Sequence, residues 1–383
     1  MKQDAYTGFE QGPIRPPSES RSLLIRLTRN CPWNRCTFCP VYKGKQFSLR
    51  SVDSIIKDID AIHGHVTAIL ETVETGIAVD MNKINAIFQG LDSDDRVAFN
   101  SAWHWYSSGM ASIFLQDANS LIMKPDDLVA ILGHIKACFP MAKRVTSYAR
   151  SHTIARIKPP DLARIAGAGL NRIHIGLESG SDKVLEMVKK GATQASHIKA
   201  GRMVKAAGME LSEYMMPGLG GVGLSREHAL ESAHALNEIN PDFIRLRTLA
   251  LPRKGSLAVA HDQGEFQRCT DVMVARELKL FLESLDGITS FIKSDHILNL
   301  LETVEGQLPH DKARMVAEVD RFLDMAPEKQ VVYQVGRRMG LFRGPTDMAD
   351  GTLVAQAEEA CRVHGVTVDN VDTVIDGLMK RFV

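Results

Sequence analysis

No stretch of this 383-residue chain holds the roughly 18 consecutive apolar residues that a bilayer-spanning helix needs. Neither sign of charge is in excess, since 46 Lys and Arg balance 46 Asp and Glu. Bulk charge therefore gives no support for a nucleic-acid or membrane-surface partner, which leaves only local basic patches for such contacts. Cysteine is scarce: six residues are too few for a disulfide framework. No internal repeat and no low-complexity segment is present. Met1 to Pro17 is polar and lacks the apolar core of a signal peptide, so the expectation is a cytoplasmic protein. What remains is ordinary for a globular chain, 44% apolar and 24% charged, long enough for one large domain plus an appendage.

Strand-like and helix-like segments alternate after an extended arm over residues 1–20, where Pro13, Pro16 and Pro17 forbid a regular helix. Strands are expected at Leu23–Thr28, Ile113–Leu115, Val145–Ala149, Ile173–Leu177, Met209–Met216 and Phe243–Leu249. Residues 67–110 read as a helical and looped insertion. Six strands separated by helices imply an α/β protein with a parallel sheet, open or curved into a full or partial barrel. Ligands of such sheets bind at the C-terminal ends of the strands. Beyond Gly306 only helical patterns appear. The expected organisation is an arm (1–20), a strand-and-helix domain (21–305) and a mostly helical C-terminal domain (306–383).

Three of the six cysteines fall in one loop after the first strand, Cys31-Pro-Trp-Asn-Arg-Cys36-Thr-Phe-Cys39. Clustered thiols outside a disulfide context point to metal or redox chemistry, and soft thiolates suit zinc or iron–sulfur clusters. A structural zinc site takes four protein ligands, and no fourth cysteine lies nearby. The spacing also matches three ligands of a plant-type [2Fe–2S] protein, which needs a fourth cysteine at moderate distance and a small acidic domain. Three cysteines on a [4Fe–4S] cluster leave one iron open to bind a ligand. The bland alternative is three thiols that hold no metal. Cys138, Cys269 and Cys361 stand alone and read as buried small residues.

The loop resembles the C-x₃-C-x-aromatic-C motif that radical S-adenosylmethionine (SAM) enzymes carry after strand one of a partial (β/α)₆ TIM-like barrel, with Phe38 at the aromatic position and one extra residue between Cys31 and Cys36. The fourth-strand stretch Ile173-His-Ile-Gly-Leu-Glu178-Ser-Gly-Ser-Asp, followed by Lys189-Lys-Gly-Ala-Thr193, is similar to the subgroup of Elongator catalytic subunits, methylthiotransferases and nitrogenase-cofactor proteins. The resemblance, which covers about Ser22 to Ala250, implies a [4Fe–4S] cluster on Cys31, Cys36 and Cys39. It further implies S-adenosyl-L-methionine near Glu178, with one of the two lysines a candidate for its carboxylate. Asp117 stands where the family often has the acid of Gly-Gly-Glu, without the glycines. The implied chemistry is reductive cleavage of SAM to a 5′-deoxyadenosyl radical that abstracts hydrogen from a small-molecule substrate. It needs an electron donor such as flavodoxin or ferredoxin and an anaerobic site. The rival is an iron–sulfur electron-transfer or structural metal protein.

Alternation along the strands suggests which side chains face the barrel interior. His174 shares parity with Glu178, and Tyr214 lies with Glu210 and Ser212 on strand five, although Glu213 breaks that pattern. Arg245 and Arg247 share a side of strand six opposite Ile244 and Leu246. Buried arginines must meet an anion. They either pair internally with Glu178 and Glu210, or Arg245 binds the SAM carboxylate and Arg247, with His174 and Tyr214, contacts an anionic substrate. Gly218-Leu-Gly-Gly-Val-Gly223 fits a dinucleotide fingerprint, but the polar strand before it argues against that reading.

Overall fold

The computed structural model describes residues 6–74, 78–252 and 255–380. Residues 1–5 of the expected arm, 75–77 of the expected insertion and 381–383 of the expected C-terminal domain lie outside the described residues. Eight strands form the main sheet: β1 (Leu23–Arg26), β2 (Ser112–Gln116), β3 (Arg144–Ala149), β4 (Arg172–Glu178), β5 (Glu210–Met215), β6 (Phe243–Leu246), β7 (Phe291–Lys293) and β8 (Gly306–Gln307). They are hydrogen bonded in chain order from β1 to β8. The β1–β2, β2–β3, β5–β6 and β6–β7 pairs are parallel, and β8 is antiparallel to β7. A doubly wound sheet reverses its strand order, whereas this one advances in a single direction with helices between strands, as barrel-type sheets do. The α/β expectation and its six strands hold. The additional β7 is three residues long between polar turns, and β8 only two, too short for periodicity to reveal.

The chain divides into two compact units. The first comprises residues 1–32, 44–174 and 203–210. Its β2 reads Ser-Ile-Phe-Leu-Gln and is buried at every position, the pattern of a strand covered on both faces. Helix α1 (Val52–Glu71) begins at Ser51, whose hydroxyl accepts the Ser54 amide at 3.1 Å. It buries Ile55, Ile59, Ile62, Val66 and Ile69, a stripe at helical spacing. Within the expected insertion, helix α2 (Ser93–Ser107) buries Trp105, whose indole N–H donates to the Ser112 carbonyl at 2.7 Å. Helices α3 (Pro125–Cys138) and α4 (Pro159–Gly167) both open on proline, which has no amide to leave unpaired in a first turn. The N-terminal arm is fastened to β2: Gln116 accepts the Gly12 amide at 2.8 Å and donates to the Gly12 and Ile14 carbonyls.

The second unit comprises residues 33–43, 175–202 and 211–383. Helix α5 (Gly221–Ile239) follows β5, and α6 (Asp271–Ser284) follows β6. The C-terminal helices α7 (Lys312–Leu323), α8 (Pro327–Arg338), α9 (Gly351–Val363) and α10 (Val371–Met379) complete it. Leu177, Ile244 and Ile292 from the strands share one core with Phe281, Phe322, Tyr333 and Phe342, so the C-terminal helices and β4–β7 exclude water together. A buried ion pair, Arg338–Asp271 at 2.9 Å, lies within this unit.

Close packing in the second unit yields a stability test. A Cβ at Gly336, inside α8, would sit 2.2 Å from the Phe342 ring. Ala in a helix interior gains about 0.5–1 kcal/mol over Gly, but overpacking costs about 1–3 kcal/mol. Gly336→Ala should therefore lower the thermal midpoint, read by near-ultraviolet circular dichroism.

Candidate cofactor site

In the first unit the cysteine loop leaves the sheet through a two-residue ribbon, Thr28–Arg29 paired with Ser48–Leu49. Asn30 then turns with φ 67°, a left-handed conformation that Asn tolerates better than most residues, and Cys31 follows. The turn is held by Asp117 at the end of β2. Its Oδ2 accepts the Asn30 amide at 2.8 Å and the Arg26 guanidinium at 2.6 and 3.0 Å. Asp117 is buried, and burial pushes its carboxyl up while the Asn30 and Arg26 hydrogen bonds pull it down; the net direction is up. Its Oδ1 has no hydrogen-bond donor among the described residues, and a Cβ at Gly12 would lie 1.8 Å from it. Glu10 of the arm pairs with Arg26 at 2.5 Å and Arg29 at 2.8 Å.

In the second unit the loop continues through Cys36 and Cys39 and is docked on the residues after β4. The Trp33 indole N–H donates to the Lys189 carbonyl at 2.7 Å, and the Thr37 amide to Val188 at 3.0 Å. Gly191 has φ 66°, and a Cβ there would lie 2.3 Å from the Trp33 ring, so only glycine fits. Lys190 bonds Glu178 Oε1 at 2.9 Å, and its ammonium stands 5.8 Å from the centre of the Phe38 ring. Glu178 has φ 62°, a strained conformation for a residue with a Cβ, worth roughly 1–3 kcal/mol. Such strain is characteristic of functional positions. A Cβ at Gly176 would come within 2.3 Å of Glu178 Oε1 and 2.9 Å of Lys190 Nζ. Gly176 thus leaves the space that the ion pair occupies.

The remaining expected residues divide. Arg245 is buried, bonds Asp295 at 3.1 Å and donates to the Ser212 hydroxyl at 3.2 Å. Its neutralising partner is Asp295, a residue that strand parity did not single out. Glu178 pairs with Lys190, and Glu210 with Arg172 at 2.7 Å. The buried-charge argument for an external anion at Arg245 therefore does not hold. Arg247 is exposed, contrary to the inward placement expected from parity, because β6 ends at Leu246. Tyr214 is half-buried and lies opposite Arg245 in the β5–β6 register. His174, in the first unit, is fully buried; its Nε2 lies 3.3 Å from Glu19 and its ring packs beside Tyr148. The Gly218–Gly223 loop is tied to Glu277, which accepts the Gly218 amide at 2.7 Å.

Residues 111–233 match the family model of the radical SAM superfamily. That match covers 123 of the 383 residues. The matched residues run from β2 into α5 and include Asp117, Glu178 and Lys190; the cysteine loop precedes them. The chain is 25% identical over 203 residues to 4′-phospho-dehydrooxetanocin synthase of Priestia megaterium, covering 50% of this chain and 22% of the relative. It is 22% identical over 318 residues to tRNA-2-methylthio-N(6)-dimethylallyladenosine synthase of Prosthecochloris aestuarii, covering 80% of this chain and 59% of the relative. The chain thus spans less than two thirds of the length of either curated relative. Coproporphyrinogen III oxidase from Escherichia coli, a radical SAM enzyme of known structure, is 13% identical with a TM-score of 0.43, covering 68% of this chain and 52% of that one.

Radical SAM domains bind a [4Fe–4S] cluster and SAM, and the residues here fit both. Cys31, Cys36 and Cys39 are half-buried thiols outside any disulfide, the soft donor type that iron–sulfur clusters take. Asp117 Oδ1 is a buried acceptor with no donor among the described residues. Among the described residues no helix is long and apolar enough to cross a membrane.

One residue of the matched segment that breaks the alternation of its strand is Glu213. It is fully buried on β5, and neither carboxylate oxygen has a side-chain partner among the described residues. Burial pushes its carboxyl well above the ordinary 4.5, Lys190 partly opposing and Glu178 reinforcing. The folded state therefore holds a proton that the unfolded chain releases above about pH 4.5. Stability from this group is present at low pH and falls as pH rises toward the folded value. Glu213→Gln should raise stability at pH 8 and reduce its decline between pH 5 and 8, measured as urea midpoints at the two pH values.

Proposed function

We propose that this chain is a radical SAM enzyme in which Cys31, Cys36 and Cys39 hold the [4Fe–4S] cluster and the Glu178–Lys190 pair helps to seat SAM. The observation that supports this most is the meeting of Phe38, from inside the cysteine motif, with Lys190 and Glu178 over the space left by Gly176. When bound, the reduced cluster supplies the electron that cleaves SAM to methionine and a 5′-deoxyadenosyl radical, which takes a hydrogen atom from the substrate. The protein's own part is to position and confine. Lys190 fixes the rotamer of Glu178 and leaves its second oxygen for a SAM donor group. Asp117 anchors the loop through the Asn30 amide and offers Oδ1 to a further donor. Arg245, held by Ser212 and Asp295, lines up with Tyr214 as a cofactor or substrate contact, and exposed Arg247 presents a charge to an anionic substrate. His174 tethers the arm through Glu19. The electron comes from a donor such as flavodoxin or ferredoxin, in the reducing cytoplasm that suits clustered thiols. Residues 21–305 carry this chemistry and the helices of 306–383 support it.

Anaerobic reconstitution should give about four irons per chain, and Cys36→Ala should lose most of them. A stable two-iron cluster would sink the assignment. With dithionite the loaded protein should form 5′-deoxyadenosine.

A second test concerns the seat for SAM. Gly176→Ala and Glu178→Gln should each weaken SAM binding tenfold or more in equilibrium dialysis while keeping iron content. Loss of iron and SAM together would make the Glu178–Lys190 pair purely structural.

A further inference from the structure

In the first unit a cavity of about 570 Å³ opens where β2 and β3 end. Pro32, the residue after Cys31, forms part of its wall, together with Lys124, Arg150, His152, Arg156 and Lys158. Asp161 is the one carboxylate on that wall among the described residues, and it is paired with Arg164 at 3.1 Å. Four permanent cations thus face one carboxylate that already has a partner. Lys124, Arg156 and Lys158 make no ion pair among the described residues. The field reaches the neighbouring imidazole: burial, then the charges of Arg156 and Arg150, hold His152 below its ordinary value. Helices α3 and α4 begin at the cavity after Lys124 and Lys158, but Asp126, Asp127 and Asp161 in their first turns offset the helix dipoles, so the positive field there comes from the cationic side chains.

This charge distribution discriminates between ligands. SAM carries a sulfonium and an ammonium against one carboxylate, so four cations repel it. A lone carboxylate brings one negative charge, whereas a phosphate monoester brings about 1.5 to 2. The volume lies within the roughly 300–1,000 Å³ of small-molecule sites. We propose that this cavity binds the phosphate or diphosphate group of a phosphorylated small molecule, held by Lys124, Arg150, Arg156 and Lys158 beside the cysteine loop. Calling that molecule the substrate rests on the radical SAM reading; the anion site itself does not.

The test is calorimetric titration of the full chain with inorganic pyrophosphate, without SAM. Saturable binding near one per chain is expected, weakening as salt screens the charges. The double variant Arg156→Gln/Lys158→Gln should bind at least tenfold more weakly. The charge-preserving pair Arg156→Lys/Lys158→Arg should restore most of the affinity. Exposed Lys329→Gln, which removes a charge elsewhere, should change nothing. Failure of the wild-type chain to bind, equal binding by the glutamine double variant, or equal weakening by Lys329→Gln would overturn the site. Binding of a single-stranded RNA through the same residues, with none of pyrophosphate, would overturn the small-molecule assignment. The two readings fail separately. Formation of 5′-deoxyadenosine without pyrophosphate binding defeats only the anion site, and pyrophosphate binding by a chain that retains no iron defeats only the radical SAM function.

Discussion

A carboxylate removed from water must be met by donors, and the segment that leads into the cysteine loop is built on that requirement. Asp117 directly follows a strand whose every residue is buried. Its Oδ2 gathers Arg26 from β1 and the amide of Asn30, the residue before Cys31. Removing Asp117 would leave a mostly buried guanidinium with Glu10 as its remaining charged partner and would release the turn. Breaking one side of such a pair costs more than the pair itself contributes, because an uncompensated ion stays behind. The first thiol is therefore positioned by electrostatics that the fold cannot relax cheaply.

The second unit uses the same principle with different parts. Glu178 is held in a left-handed conformation and neutralised by Lys190, and Gly176 leaves the room for both. The next residue along, Gly191, lets the Trp33 ring lie against the backbone. One short stretch, 188–191, thus carries the cation, the carbonyls that accept from the loop and the glycine that admits it. Burial pushes the carboxyl of nearby Glu213 well above its ordinary value, with Lys190 opposing that shift.

Several candidate site residues were legible because their pattern is local. The cysteines cluster in one loop, and Glu178 with Lys189-Lys190-Gly191 forms a recognisable stretch. Arg245 was legible as a buried cation but not its partner, because Asp295 lies fifty residues on, beyond β7, a strand too short to announce itself. Arg247 shares parity with Arg245 yet is exposed, since alternation governs only residues inside a strand and β6 stops at Leu246. Glu213 looked like a breach of pattern; the structure makes it a fully buried acid whose carboxyl burial pushes well above its ordinary value.

The sequence by itself determined the α/β alternation, the thiol loop after the first strand and the glycine and lysine stretch after the fourth, because periodicity and short spacings survive in one dimension. It also supplied Lys124, Arg150, His152, Arg156 and Lys158, but as scattered charges in a chain of zero net charge. Only the tertiary structure decided that they share one cavity with Pro32, that Asp161 is already engaged there, and that His174 belongs to Glu19. The reason is physical. A side chain's charge is set by its type, but the field it makes depends on which other charges the fold brings within a few ångströms and how much water stays between them.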